Sequence, residues 1–264
     1  MGLILDDILK NAKWKGQDAF PSNELLENEC EKWLVYLNNK GWLSEYMPRL
    51  IKMDTKKRDE VLSEISSAYF LEEICGIPVK EVEQEGINNK RGDFIVSVDS
   101  MDVFCEVKSP GWEADIVKEQ GPKSERLKMP KYINAETRSV GNSDAIRYAI
   151  EDAYEKLPED MPNLLIINDD LWFSILDEPV DDGMPLSVNN ALFYKPLPPP
   201  YSDERPQGCF MTDQYRVLSG ALFLRVVKYA TKDKIIYESM LFLNNNTLHP
   251  LPQGLKIKLE AKSR

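Results

Sequence analysis

The chain has 264 residues, of which 42% are hydrophobic, and its formal net charge at pH 7 is −11. That length and apolar content can support a real hydrophobic core, which excludes a disordered or fibrous chain. No run of about 18 apolar residues is present, and Asp6 and Asp7 interrupt the N-terminal apolar residues before a signal-like core could form. We therefore expect a globular, cytoplasmic protein that makes no contact with a membrane.

The acidic charge is concentrated in one block. Residues 151–182 contain eleven acidic residues and one basic residue, so the other 232 residues together carry a charge of only −1. We interpret this block as a solvated face with loops, which needs no function. By contrast, residues 118–138 contain six basic and three acidic residues, which predicts a basic loop that could contact phosphate. The candidate nucleic-acid contacts in this loop are Lys123, Arg126, Lys128 and Lys131. The alternative interpretation is that these are solvated loop charges without a ligand.

The first quarter of the chain has a helical pattern. Apolar residues recur at helical spacing from residue 24 onward, with Gly41 and Pro48 as interruptions, and a second helix is predicted over residues 55–75. On that helix Glu64 shares a face with apolar residues, so it is expected to point toward the core, where an unpaired carboxylate is disfavoured.

Strand patterns follow the helices. Residues 79–86 nearly alternate, and two short β-rich runs at 93–98 and 103–109 predict a hairpin. A two-residue turn at Asp99-Ser100 would make paired residue numbers sum to 199 and place Asp93 opposite Glu106. A four-residue loop would leave these two as diagonal neighbours. A three-residue loop without a bulge would place Asp93 on the wrong face.

The remaining elements are predicted from periodicity. An apolar stripe predicts a helix from Asn142 or Ser143 to Pro158, and the continuous apolar run at 163–168 predicts a strand buried on both faces. A proline-rich loop occupies residues 195–200. Further strands are predicted at 171–176, 215–227, 235–243 and 255–260.

The chemistry is concentrated in the predicted hairpin. Because side chains alternate along a strand, Glu106 and Lys108 share one face of the second strand. Two converging carboxylates, Asp93 and Glu106, form a hard oxygen site that suits Mg²⁺, with Mn²⁺ as a substitute. Such a cation activates water and neutralises charge on phosphate. The alternative is an exposed strand face with a cross-strand ion pair, worth at most about 1 kcal/mol.

This pattern resembles the PD-(D/E)xK phosphodiesterase superfamily, which has the restriction-endonuclease-like fold. Glu64 matches the glutamate of the first helix, Asp93 the aspartate, and Glu106-Val107-Lys108 the acidic residue and lysine of the motif. The resemblance covers roughly residues 58–170. It implies an α/β fold with an αβββαβ core, in which a central mixed sheet is flanked by helices, and Mg²⁺-dependent hydrolysis that leaves a 5′-phosphate.

The chain departs from the family pattern at two places. Gly92 precedes Asp93, where many members have proline. Some members place a glutamine or a basic residue on the helix that follows the motif, called here the closing helix. In this chain it is the helix predicted to end at Pro158, and Arg147 and Lys156 are both candidates for that position.

We therefore predict one domain, 1–264, in three parts. Residues 1–54 form a helical N-terminal elaboration, 55–176 a nuclease-like core and 177–264 a β-rich C-terminal extension. The resemblance implies that the chain is a metal-dependent endonuclease. Its expected partner is nucleic acid, with DNA favoured. Its metal ligands are Asp93, Glu106 and Glu64, with Lys108 handling the water; two-strand cleavage would favour a homodimer.

A second function class stays open, because a catalytically inactive module of this fold could bind nucleic acid or a protein partner through the acidic block. Other enzyme classes lack support, since the sequence contains no GxxxxGK[ST], GxGxxG, HExxH or GxSxG motif. The four cysteines lie far apart without CxxC spacing, which predicts reduced structural thiols, and His249 is also interpreted as structural.

Overall fold

The protein is represented by a computed structural model that describes residues 2–11, 23–52, 55–82, 92–109, 145–169, 175–176, 184–196, 207–229 and 232–262. These residues form a mixed α/β structure in which an open mixed sheet is flanked by helices. No helix within these ranges has the length and apolar character needed to cross a membrane.

The helices are distributed along the whole chain. α4 continues directly into a π-helical turn at Phe70–Ile74, and two short 3₁₀ turns precede the last two strands. The helices are α1 (Leu3–Asn11), α2 (Glu24–Lys40), α3 (Leu43–Lys52), α4 (Thr55–Tyr69), α5 (145–154), α6 (Met184–Phe193) and α7 (Gln253–Glu260).

The described strands build one sheet in six rows. They are β1 (Val79–Val82), β2 (Phe94–Val98), β3 (Met101–Lys108), β4 (Asn163–Asp169), β5 (Ile175–Leu176), β6 (Gly220–Tyr229) and β7 (Ile235–Leu243). The rows run β1-β2-β3-β4-β6-β7, and β5 pairs with β6 beyond the end of β4. β3, β4 and β6 are mutually parallel, whereas β1–β2, β2–β3 and β6–β7 are antiparallel pairs.

The β2–β3 hairpin has the register that a two-residue turn predicts. Asp99 and Ser100 both have positive φ angles, 54° and 63°, as the two central residues of a tight hairpin turn require. Pairing runs from Val98↔Met101 to Phe94↔Cys105, so each pair of residue numbers sums to 199. Continuing this register by one residue places Asp93 opposite Glu106.

Each face of the sheet has its own core. Side chains of β3 alternate between the two, since Val103, Cys105 and Val107 join the core under α1–α4 and α7, while Phe104 joins the core under α5 and α6. β4 lies in the middle and is buried along its entire length. This confirms the prediction of a strand covered on both faces, which is typical of parallel strands in α/β proteins.

A buried amide fixes α4 over the sheet. Asn168 Nδ2, near the end of β4, lies 3.1 Å from the Ser63 carbonyl oxygen, 3.1 Å from Ser66 Oγ and 2.9 Å from Ser67 Oγ. Buried polar groups that are satisfied in this way hold packed elements in one arrangement. The three serines flank Glu64, so the same contacts fix the position of Glu64 above the sheet.

Two sequence predictions are wrong. Pro48 does not interrupt the helical region but lies inside α3, where it removes one main-chain hydrogen bond while Tyr46 and Leu50 pack in the core. Residues 255–260 are helical rather than a strand. Leu255 and Leu259 are buried one helical turn apart, while Ile257 is 57% exposed.

The C-terminal third contains more helix than its pattern predicts. The strand predicted at 235–243 is confirmed, whereas the one predicted at 215–227 begins only at Gly220, after a 3₁₀ turn. α6 was not predicted. β5 coincides with the last two residues of the predicted strand at 171–176, and residues 171–174 lie outside the described part of the chain. All four cysteines are free and buried, as expected of structural thiols.

Candidate functional site

The candidate site lies where β2 begins and β3 ends. Asp93 immediately precedes β2, and Glu106 and Lys108 lie near the end of β3. α4 supplies Glu64 from the layer on one face of the sheet. α5, from the other layer, supplies Lys156 from the turn after its last helical residue.

Asp93 is held by the main chain of the neighbouring strand. Its Oδ2 accepts a hydrogen bond from the Val107 N–H at 2.6 Å. Burial, followed by the negative charges of Glu64 and Glu106, raises the pKa of Asp93 well above its ordinary value, against the opposing effects of the Val107 N–H and Lys156. The ionised form of Asp93 is therefore disfavoured by burial and by repulsion from Glu64 and Glu106, and Lys156 offsets these effects only in part.

Glu106 is the most deeply buried charged group of the site. Its relative exposure is 0%, and its Oε1 lies 2.5 Å from Lys156 Nζ and 3.2 Å from Lys108 Nζ. Its other oxygen, Oε2, is also buried but has no hydrogen-bond partner among the residues that the structure describes. One oxygen of Glu106 is thus shared by two ammonium groups.

Lys108 is held in its charged form. It pairs with Glu106 and also with Asp152 on α5. Burial alone would lower the pKa of Lys108, but the charges of Glu106 and Asp152, together with their hydrogen bonds, outweigh burial and raise it. Lys108 is therefore an ammonium group at neutral pH, suited to binding or stabilising negative charge rather than to accepting a proton.

Glu64 is buried, as its helical face predicts, with 7% exposure. Both of its oxygens accept hydrogen bonds from one guanidinium group, because Arg49 Nη2 lies 2.5 Å from Oε1 and Arg49 Nη1 lies 2.7 Å from Oε2. Arg49 belongs to α3 and also lies over the Tyr46 ring, 5.7 Å from its centroid. The pair is a two-pronged contact, the strongest form of carboxylate recognition by arginine.

Gly92 permits the close approach that the site requires. A Cβ atom added at Gly92 would overlap the ring of Phe104, which is buried in the core under α5. A side chain of any size would have to displace this ring. The glycine before Asp93 is therefore explained by packing in this chain.

The donor set fits a cation through two carboxylates rather than three. Glu106 Oε2 is buried and has no protein donor in the described part of the chain, and burial together with the charges of Glu64 and Glu106 disfavours the ionised form of Asp93. Within the same part of the chain, no group of three or more His, Cys, Asp or Glu side chains is placed so that it could hold a metal ion. A hard divalent cation commonly uses one or two carboxylates and fills its other positions with water and phosphate.

The structure brings most of the predicted residues together. Asp93, Glu106 and Lys108 form one cluster, and Glu64 lies close enough to affect the pKa of Asp93. Of the two candidates on the closing helix, Lys156 reaches Glu106, whereas Arg147 lies elsewhere and donates to Cys209 Sγ and to the Gln207 carbonyl oxygen. The four predicted loop contacts lie outside the described residues: Lys123, Arg126, Lys128 and Lys131.

Sequence reasoning missed two residues of the site, Arg49 and Asp152. Asp152 stands four residues before Lys156, the spacing at which side chains of a helical pattern share one side, and both reach the pair of Glu106 and Lys108. That spacing is a signal that could have identified the pair. Arg49 is separated from Glu64 by 15 residues and by a helix boundary. No local pattern indicates this contact.

No family model, curated protein or solved structure matches the chain. The function is therefore inferred from the chemistry of the residues themselves.

Proposed function

We propose that this chain is a Mg²⁺-dependent nuclease, an endonuclease that hydrolyses phosphodiester bonds, with DNA as the favoured substrate. The observation that carries the proposal is the buried Oε2 of Glu106, without a partner in the described part of the chain, beside Asp93 and two ammonium groups. Burying an uncompensated carboxylate oxygen costs free energy, which a bound cation would recover.

The order of the elements supports a restriction-endonuclease-like core. α4, β1, β2, β3, α5 and β4 follow one another as the αβββαβ arrangement requires, and the Asp and Glu-x-Lys residues stand on consecutive strands of one hairpin. The fold alone does not define an activity, since one fold supports many functions. The charged residues at the end of β3 are therefore the stronger support.

Each residue has a role in the proposed reaction. Asp93 and Glu106 would hold the cation, with Mn²⁺ as a substitute for Mg²⁺. When bound, the cation would activate water and offset charge on the phosphate. Lys108, kept charged by Glu106 and Asp152, faces the same site and stabilises the additional negative charge that the phosphate acquires in the transition state. Asp152 is a positioning residue for the Lys108 ammonium.

The test is cleavage by the purified full chain. Supercoiled plasmid, linear duplex DNA and RNA are each incubated with Mg²⁺, with Mn²⁺ and with EDTA. We expect cleavage only with a divalent cation, and a loss of roughly 10²–10³-fold in Lys108→Ala, as when one preorganised charge-stabilising group is removed. The matched control is Lys80→Ala, which removes an exposed lysine of β1 that pairs with Asp102 at the start of β3 and should cleave at the parent rate.

Metal binding provides an independent readout. Mn²⁺ titration of the parent should show a site that Asp93→Ala and Glu106→Ala abolish. Cleavage that persists in EDTA, or that Lys108→Ala leaves intact, would contradict the assignment of the site. Absence of both cleavage and Mn²⁺ binding would refute the proposal as a whole.

The second candidate is the catalytically inactive module. α5 and the segment after it present exposed carboxylates, one of which, Asp152, pairs with Lys108 of the site, and such an acidic surface would repel phosphate. They are Glu151, Asp152, Glu155, Glu159 and Asp160. If the parent binds neither Mn²⁺ nor nucleic acid, this acidic surface becomes the better explanation, and a basic protein partner becomes the expected ligand.

A further inference from the structure

The N-terminal helices reach into the candidate site through one side chain. Arg49 of α3 contacts both oxygens of Glu64, at 2.5 and 2.7 Å, and Glu64 lies on α4 beside the buried end of the sheet. The guanidinium group is itself positioned by Tyr46, a fully buried ring of the same helix. The N-terminal helices therefore contribute a positive charge, that of Arg49, to the cluster of carboxylates as well as packing against the sheet.

This contact determines how many carboxylates the site can offer. Glu64 is buried on α4, Glu106 stands opposite Asp93 in the hairpin register, and the charge of Glu64 is near enough to raise the pKa of Asp93. Nevertheless, the described side chains include no group of three that could hold a metal ion. The difference is explained by Arg49, because a carboxylate with both oxygens engaged by one guanidinium fork is oriented toward that fork.

We propose that Arg49 is a positioning residue that withholds Glu64 from the metal, so that this chain binds its cation through Asp93 and Glu106 only. The inference rests on the metal site of the proposed function. It makes the role of Glu64 electrostatic rather than ligating, and it gives the N-terminal elaboration a function in the site. Metal affinity in oxygen sites follows the number of charged ligands, so the same contact limits how tightly the cation is held.

The direct test is the number of water molecules on bound Mn²⁺, measured by water-proton relaxation and pulsed electron paramagnetic resonance on the full chain. Glu64→Gln should leave this number unchanged, because Glu64 is not a ligand in the parent. A gain of one water in Glu64→Gln would overturn the inference, since it would mean that Glu64 occupied a coordination position.

The complementary variant releases Glu64. Arg49→Gln should remove one water from bound Mn²⁺ and tighten Mn²⁺ binding by about tenfold, as expected from one additional charged ligand. In Arg49→Gln/Glu64→Gln the number of waters should return to that of the parent. An unchanged number of waters or weaker binding in Arg49→Gln would overturn the inference.

Lys40→Gln is the matched control. Lys40 and Arg49 have the same exposed fraction of side chain, 28%, and each pairs with a partly or fully buried glutamate of a later helical segment. Lys40→Gln breaks its pair with Glu72 and should leave Mn²⁺ binding unaltered.

The two proposals fail in different ways. If the parent binds no Mn²⁺ but Arg49→Gln does, the two-carboxylate site of the proposed function is refuted and the withholding of Glu64 is supported. If the parent binds Mn²⁺ and Arg49→Gln matches it in hydration, only the role of Arg49 is refuted. If neither binds Mn²⁺, both proposals are refuted.

Discussion

Asp93 is a carboxyl group whose ionised form the fold opposes. Burial and the charges of Glu64 and Glu106 raise its pKa, and the Val107 N–H only partly compensates. In the absence of metal, Asp93→Asn should therefore raise the free energy of unfolding at neutral pH, by on the order of 1 kcal/mol. Asparagine retains an oxygen that can accept the hydrogen bond from Val107, so the change removes mainly the charge.

The pH dependence of that gain has a definite sign. Because the pKa of Asp93 is raised in the folded state, its ionisation opposes folding, and the penalty develops as the pH rises from the unfolded-state value of about 3.9 toward the folded-state value. Urea unfolding in EDTA should therefore show a small gain for Asp93→Asn near pH 4 and a larger one near pH 7.5. A gain that does not depend on pH would contradict the assignment of the effect to charge.

Asp102→Asn provides a control of opposite sign. The hydrogen bond from Lys80 lowers the pKa of the exposed Asp102 carboxyl. A lowered pKa contributes stability above the unfolded-state value, and this stability is lost as the pH falls through the folded-state value. Asp102→Asn should therefore lose a little stability at neutral pH, where Asp93→Asn gains it.

The sequence predicted those residues of the site that lie on one hairpin. Alternation along β3 and the short turn at Asp99-Ser100 together place Asp93, Glu106 and Lys108, because register in a hairpin follows from turn length. Arg49 could not be predicted, because its contact with Glu64 depends on how α3 packs against α4. Periodicity shows which face of a helix is buried, but not which distant side chain lies opposite a given position.

At the level of elements, the hairpin turn also stabilises the last helix. The Gly254 N–H, in the first turn of α7, donates to Asp99 Oδ2 at 2.7 Å. A carboxylate at this position satisfies a free main-chain donor and interacts favourably with the helix dipole. Asp99→Gly removes the carboxylate but tolerates the positive φ of the turn, so it isolates the loss of this cap.

Ser100→Gly is the matched variant for this prediction. Ser100 has the same left-handed conformation in the same turn, so glycine relieves similar backbone strain at both positions. We expect Asp99→Gly to be less stable than Ser100→Gly by about 1 kcal/mol, a typical value for the loss of a cap. Thermal unfolding of the two variants measures the difference, and equal stabilities would show that Asp99 contributes no cap.

The same helix shows why the end of the chain was predicted wrongly. Alternation of apolar and charged residues over 255–260 satisfies the strand pattern, but positions 255 and 259 also stand four apart, as a helix requires. Tertiary contacts decide between the two patterns. Asp99 supplies the cap, and the core under α1–α4 accepts Leu255 and Leu259 while leaving Ile257 at the surface.

At the scale of the whole molecule, the C-terminal third completes the sheet that carries the site. β6 pairs with β4 in parallel over six residues, and its side chains enter both cores. Leu222 and Leu224 contribute to the core under α1–α4, whereas Ala221 and Phe223 contribute to the core under α5 and α6. The main chain adds further links, since the Ser219 N–H donates to the Asn163 carbonyl oxygen at 2.9 Å.

A fragment ending at residue 176 should therefore not fold on its own. Without β6, the buried strand β4 would become an exposed apolar edge, which is a template for aggregation, and both cores would lose large side chains at once. Far-UV circular dichroism and thermal unfolding should show a cooperative transition for the full chain and none for residues 1–176. A soluble fragment with a cooperative transition would show instead that residues 55–176 form an independent core and that the C-terminal third is an accessory to it.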